Sequence, residues 1–437
     1  MALDTSTISP LGFGCMRFEG RETDSIDIDA TARMVDAYLT HGGNYFDTAW
    51  AYPNSEAALG KALVARHPRG SYYIASKCVA WNHCESTDDL ERQLQETLTN
   101  LGTDYLDIYL MHNLGGKRTA AFEKYDAWEF VKSVKERGLA KHIGFSAHCT
   151  PEELEGFIAA YSEAELVQLQ INYLDWDSPS FQERACVEVA NARGLPIIAM
   201  EPVKGGLLAD PPQAVRAILD EAFEGQSYAT IALRFAASVP GVFCTLSGMN
   251  ELTQVEDNCH AFESFQPMNE TELAAIKKAQ EIMEKSGTVQ CTGCDYCAKV
   301  CPQGIGISGS IEALNYYINF DDPYKANYQL GFIVRFNGGK AMPSECIRCE
   351  ACMDACPQNI DIMACFDRIA EEITPYSKPI VLMKPWVTCV SRKESVWSIP
   401  YVVLMAVNFF QSMAAFMTNT TLSVFANSLG ASTARSS

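Results

Sequence analysis

The sequence predicts an α/β fold: a (β/α)8 TIM barrel, then a small cysteine-rich module, then an uncharged apolar tail. Three observations carry this. Eight short apolar, β-branched runs alternate with amphipathic stretches of helical length between about residues 10 and 265. No Gly-x-Gly-x-x-Gly turn follows any early run, which removes the usual nucleotide site of the competing open doubly wound sheet. Two cysteine runs of the same spacing lie downstream, one starting at Cys291 and the other at Cys346.

The eight runs are Leu11–Met16, Tyr45–Ala49, Tyr72–Cys78, Leu106–His112, His142–Ala147, Val167–Asn172, Pro196–Pro202 and Phe243–Gly248. Each precedes a helical pattern such as Ala30–Thr40, Thr87–Leu101 or Phe181–Ala192, so each reads as one βα unit. The barrel domain is assigned to residues 1–265. Residues 266–288 carry a capped, charged pattern and read as a linking helix.

The module spans 289–375. Its first run is Cys291-x-x-Cys294-x-x-Cys297-x-x-x-Cys301-Pro302 and its second Cys346-x-x-Cys349-x-x-Cys352-x-x-x-Cys356-Pro357. This spacing gives three thiolates of one loop to one iron–sulfur cubane, while the fourth cysteine crosses to the other cubane. The expectation is a ferredoxin-like module with two [4Fe–4S] clusters, one on Cys291, Cys294, Cys297 and Cys356, the other on Cys346, Cys349, Cys352 and Cys301. Structural zinc is the alternative, but zinc sites usually pair two short-spaced couples of ligands. An aromatic-rich insert, Tyr316–Phe336, separates the runs.

The tail, 376–437, has no charged residue from Ser395 to Ala434. Ile399–Met417 is long and apolar enough for a marginal membrane span, with Lys384, Arg392 and Lys393 before it on what would be the cytoplasmic side. Pro400, Asn408, Gln411 and Ser412 lower its hydropathy. Ser398, Asn408, Gln411, Ser412, Asn419 and Ser423 gather on one helical face. A membrane span, an interfacial or partner-docking helix, and a packed or disordered tail all stay open.

With 34 Lys and Arg against 54 Asp and Glu, the 437-residue chain has a formal net charge of −20. There is no basic stripe to neutralise phosphates, which argues against nucleic acid; the acidity suits a carrier with a basic face, or simply solubility. Of 17 cysteines, eight belong to the two runs and the rest are scattered without a disulfide framework. The N-terminus lacks a signal-peptide pattern, so a reducing cytoplasm is expected.

In such a barrel, reacting groups sit at the C-terminal ends of strands. Asp47 ends the second run and Tyr52 lies in the loop after it, while Lys77 ends the third run and His112 the fourth. Together they suit carbonyl reduction. As hydride reaches carbon, negative charge grows on oxygen and needs a nearby proton donor. Tyr52 is that donor, Lys77 draws its pKa downward, Asp47 holds Lys77, and His112 orients the carbonyl. Taken singly, each has an ordinary structural role; the spacing of the four is what points to a site.

Phe46-Asp47-Thr48-Ala49-x-x-Tyr52, Ser76-Lys77, Leu110-Met111-His112-Asn113, Ile143-Gly144-Phe145-Ser146 and Met200-Glu201-Pro202-Val203-Lys204-Gly205-Gly206 resemble the aldo/keto reductase superfamily. With the cysteine runs, residues 8–375 resemble its ferredoxin-fused bacterial branch. The resemblance implies Asp47, Tyr52, Lys77 and His112 as a catalytic tetrad and a nicotinamide cofactor, NADH or NADPH. It implies Ser146 and Gln170 at the carboxamide, Pro202, Lys204, Gly206, Ser247, Gly248 and Met249 around pyrophosphate and ribose, and Asp257 and Asn258 at the adenine. Ala147 and Met200 depart from the family's usual Asn and aromatic. Gln254 stands where many members carry an arginine for the 2′-phosphate, and Glu256 would repel that phosphate, so NADH is expected over NADPH.

A cubane passes single electrons whereas nicotinamide passes a two-electron hydride, and the sequence holds no flavin fingerprint to join them. Three roles for the module stay open: structure or docking beside an ordinary carbonyl reductase; a ferredoxin-coupled reductase fed by a ferredoxin- or flavodoxin-type carrier; or electron transfer on a barrel that has become scaffold. Trp50, Trp81 and His83 would suit an apolar or aromatic carbonyl or alcohol substrate.

Overall fold

The computed structural model describes residues 3–376 except 22–24, 82–83, 179–180 and 337–339. His83 and the apolar tail, with its membrane and interface readings, lie outside the described residues. Among those described, no helix is long and apolar enough to cross a membrane.

Eight parallel strands close into a barrel in sequence order: β1 Leu11–Gly14, β2 Tyr45–Asp47, β3 Tyr73–Cys78, β4 Leu106–Leu114, β5 Ala140–Ala147, β6 Leu166–Gln170, β7 Ile197–Met200 and β8 Val242–Ser247. Pairing of β1 with β8, Leu11 opposite Thr245, completes the ring. All eight expected runs are strands. The first ends earlier than expected because Cys15–Arg17 turn into a short 3-10 helix.

Side-chain alternation decides what faces the interior. Tyr45, Ala75, Ile108, Leu110, Leu166, Ile198, Cys244 and Leu246 pack inside the barrel. Phe46, Ile74, Tyr109, Met111 and Val167 pack outward against the helices. Two residues beyond an inward position the side chain points inward again, so Asp47, Lys77 and His112 continue the inner rows of Tyr45, Ala75 and Leu110 to the C-terminal mouth.

Helix Thr87–Leu101 begins at a Ser86/Asp89 capping box and stops at Gly102, which adopts φ +68. The segment read as a linking helix, Glu270–Lys285, is also capped by a box, at Asn269. It does more than link: Ala275, Ile276, Ala279 and Met283 are buried in the barrel's outer core, and Gln280 donates to the carbonyl of Tyr173. In the module, the two helices Ile307–Phe320 and Pro323–Phe336 form a hairpin between the cysteine runs. Ile305, Ile311, Leu314, Leu330, Phe366 and Ile369 make its separate core.

At the opposite end of the barrel, Asp107 joins three strands. Its buried carboxylate accepts from Arg69 Nη2 at 2.7 Å, Lys141 Nζ at 2.9 Å and the Ile74 amide at 3.0 Å. Removing it takes the shared acceptor from the Ile74 amide and leaves the Arg69 guanidinium without its counter-charge, so Asp107→Ala is expected to cost about 3 kcal/mol. Chemical denaturation of the holoprotein reads this directly; an unchanged midpoint contradicts the assignment.

Candidate active site beneath the cysteine module

Lys77 is fully buried and commits its ammonium to two acceptors, Asp47 Oδ1 at 2.5 Å and the Thr48 carbonyl at 2.7 Å. Its Nζ lies 5.2 Å from the centre of the Tyr52 ring. The Tyr52 and His112 rings meet edge to face at 5.5 Å. The four side chains therefore share one end of the barrel.

The electrostatics differ from the sequence expectation that Lys77 makes Tyr52 more acidic. Burial holds the Tyr52 phenol well above its ordinary value, with Tyr296, Asp47 and Glu201 adding to the rise and Arg21 opposing it. Lys77 is directed at Asp47 instead, whose carboxyl is itself raised by burial against the pull of that ammonium. Burial, then the charge of Lys77, pushes His112 well below the usual imidazole range. At neutral pH the site holds a neutral phenol and a neutral imidazole.

The residues expected around a nicotinamide dinucleotide are placed as follows. Ser146 Oγ accepts the Asn113 amide at 2.8 Å. Gln170 donates from Nε2 to Asp175 at 2.8 Å and accepts at Oε1 from Gln358 Nε2 at 2.7 Å. Lys204, fully buried, donates to Asp175 and to Gln358 Oε1. Pro202 is buried and Gly206 exposed. Ser247 accepts from Asn258 Nδ2 at 2.9 Å, Gly248 packs on Arg17, and Met249 is buried in the outer core. Gln254 accepts the Asn250 amide, and Asp257 accepts from Ser227 and Thr230.

The cysteine module lies across the mouth. Arg17 Nη2, after β1, donates to the Thr292 carbonyl at 2.6 Å. The Trp81 ring, after β3, packs on Tyr296 at 5.2 Å, and the Tyr296 hydroxyl reaches His112 Nε2 at 3.4 Å. After β4, Arg118 donates to the Asp354 carbonyl and Lys117 pairs with the Asp354 carboxylate. Gln358 bridges Gln170, Lys204 and Glu201. Gly205, at φ +67, lies so close to Thr292 that an added Cβ would come within 2.3 Å of its carbonyl oxygen.

Within the module the cysteines gather in two sets. Cys291, Cys294, Cys297 and Cys356 line one hollow with Ile311, Ile360 and Ile362. Cys301, Cys346, Cys349 and Cys352 line the other with Ile305, Ile307 and Phe366. Each set combines three thiols of one run with the fourth of the other. Four sulfur donors in an apolar hollow suit a cubane, and thiolates are its usual ligands. The first set adjoins the barrel mouth through Thr292, Tyr296 and Gln358; the second reaches the surface, where Cys349 is exposed.

A separate cavity of about 550 Å³ opens between the ends of β4 to β6 and the second cysteine run. Arg118, His148, Gln170, Phe181, Met353 and Asn359 are in its wall, but none of the four tetrad residues is. Sequence reasoning missed Arg17, Asp175, Tyr296 and Gln358. Tyr296 and Gln358 carried one faint signal, their place beside cluster-spaced cysteines; Asp175 and Arg17 carried none, because only the folded contact gives them a role.

The pattern of the aldo/keto reductase family matches residues 10–281, and that of the 4Fe-4S dicluster domain matches 290–362. An aldo-keto reductase of Mycolicibacterium smegmatis is 30% identical over 251 residues, covering 57% of this chain and 80% of that protein. An L-galactose dehydrogenase of Arabidopsis thaliana is 24% identical over 298 residues, covering 64% and 89%. Among solved structures, an aldo-keto reductase of Bacillus halodurans in its holo form aligns with TM-score 0.51 at 24% identity, covering 62% of this chain and 92% of that one. An aldo/keto reductase of Klebsiella pneumoniae, in complex with NADP and acetate, aligns with TM-score 0.52 at 21% identity, covering 62% and 91%. The structural likenesses establish the fold.

His148, at the edge of this mouth, is pushed down to about 3 by burial and by the charges of Arg118 and Lys204. An imidazole of ordinary value in the unfolded chain binds its proton near pH 6.5. Between these values the folded state holds fewer protons, so stability present above pH 6.5 is lost as pH falls. The loss from pH 7 to pH 5 amounts to about 2 kcal/mol. His148→Gln is expected to flatten that part of the stability–pH profile; parallel profiles for the two proteins contradict it.

Proposed function

The chain belongs to the aldo/keto reductase family, and on that premise we propose that it interconverts a ketone or aldehyde with its alcohol at the barrel mouth, with Tyr52 as proton donor. We propose further that it carries two [4Fe–4S] clusters, one on Cys291, Cys294, Cys297 and Cys356, the other on Cys301, Cys346, Cys349 and Cys352. When bound, such clusters supply one-electron storage and transfer.

The observation that carries the first proposal is the buried Asp47–Lys77 pair beside Tyr52, with His112 against the same ring. A carbonyl oxygen between the Tyr52 hydroxyl and His112 Nε2 would gain two neutral donors in a largely buried site, once Nε2 carries the imidazole proton. Such donors strengthen most as the oxygen becomes anionic, so they favour the transition state over the ground state. The high phenol pKa fits this use. It keeps the proton on Tyr52 until charge develops on the substrate, and the nearby ammonium then stabilises the phenolate left behind.

Trp81 and Tyr296 wall the approach with aromatic surface, which supports an apolar or aromatic substrate. Entry over His112 requires displacing the Tyr296 hydroxyl, whose 3.4 Å contact is at the limit of a hydrogen bond.

Tyr52→Phe is expected to lower carbonyl turnover at least about 100-fold while the visible absorbance of the clusters is kept. The measurement is turnover and spectrum on the same anaerobic sample. Turnover equal to the parent protein's removes Tyr52 as the acid.

A further inference from the structure

Membership of this family implies a nicotinamide dinucleotide at the barrel mouth, and the residues of this chain do not fit one. We infer that the cysteine module occupies the nicotinamide seat, so that the site is served not by NADH or NADPH but by a carrier of single electrons. This rests on the carbonyl–alcohol reading above.

The mismatch is specific. The Gln170 amide, which should meet the carboxamide, has its donor on Asp175 and its acceptor on Gln358. Gln358 itself is 3% exposed and spends both ends of its amide on barrel groups, donating to Gln170 and Glu201 and accepting from Lys204. Lys204, on the loop that should border the pyrophosphate, is wholly buried beneath this contact and turned to Asp175. The backbone of Thr292 lies against Gly205 on the same loop, held there by Arg17.

To lie along Gln170 and the Lys204–Gly206 loop, a dinucleotide would have to lift Gln358 and the Thr292 backbone. That would break the Arg17 bond and leave Lys204 and Gln170 each one hydrogen bond short, with Asp175 their remaining partner, inside the protein, where a lost partner is costly. A small carbonyl compound at the Tyr52–His112 edge would instead displace the Tyr296 hydroxyl, a side-chain contact. The two ligands are thus separated by what must be displaced.

The position of the module also supports the alternative donor. The cysteine set at Cys291, Cys294, Cys297 and Cys356 borders the mouth, and the other set reaches the surface at Cys349, beside exposed Ile347 and Glu350. The partner class is therefore a low-potential one-electron carrier, of ferredoxin or flavodoxin chemistry. The balance is one carbonyl, two electrons and two protons giving one alcohol. The carbonyl π bond breaks, an O–H bond forms with the Tyr52 proton, a C–H bond forms with a proton from water, and the phenolate regains its proton from solvent. Two molecules of carrier are oxidised per alcohol formed.

The test uses the anaerobic full-length holoprotein. Binding of NADH and of NADPH is followed by nicotinamide fluorescence, and the same sample is given reduced methyl viologen with a panel of ketones and aldehydes. The expected result is no saturable nicotinamide binding up to about 1 mM, weaker than about −4 kcal/mol, together with viologen-driven alcohol formation. Gain of nicotinamide binding by Gln358→Ala adds support. Micromolar binding of either nicotinamide by the parent protein overturns the inference and leaves the carbonyl reading standing. Absence of alcohol from every carbonyl with either donor removes the carbonyl reading, and the inference with it.

Discussion

A lysine ammonium with no access to water has to be paired, and Lys204 meets this requirement with one group from the barrel, Asp175, and one from the module, Gln358. Asp175 balances the charge, and losing Gln358 would leave a buried ammonium proton without its acceptor, at a cost of about 1–3 kcal/mol, so the contact acts as a clamp between the two parts of the molecule. Gln358 extends the clamp to Gln170 and Glu201. The loop after Cys356 is fixed to the ends of β6 and β7, and the cysteines on either side of the module inherit that fixed position.

From this constraint the character of the site follows. The module covers the mouth, and burial raises the Tyr52 phenol and lowers the His112 imidazole. Both groups are neutral donors at neutral pH, and the positive charge of Lys77 is already balanced by Asp47. Such a site is polarised only when its substrate becomes charged. A barrel mouth open to solvent would tune the same four residues differently, which is why the tetrad alone does not define the chemistry.

The barrel was legible because alternation and length are local properties: eight runs bounded by helical patterns could close only in a few ways. Inward parity then carried Asp47, Lys77 and His112 to one end. The cysteine spacing was equally local, and the hollows gather the four-plus-four sets that the runs suggest. What the sequence did not carry is the docking of one part on the other. Lys204 reads as a phosphate-loop lysine in a linear pattern, and only its burial under Gln358 gives it another partner. The same holds for Tyr52, whose pKa depends less on neighbouring Lys77 than on Tyr296, contributed from more than 240 residues along the chain.

The clamp is tested most directly by amide hydrogen exchange across residues 202–208 and 290–297 of the anaerobic holoprotein, with and without saturating NADH or NADPH. Packed against each other at Gly205 and Thr292, both segments should exchange at rates that nicotinamide leaves unchanged, slowest at the buried Lys204, Leu208, Thr292 and Tyr296. Fast exchange in both segments, or new protection of 202–208 on adding nicotinamide, would contradict an occupied seat and return the barrel mouth to a hydride carrier.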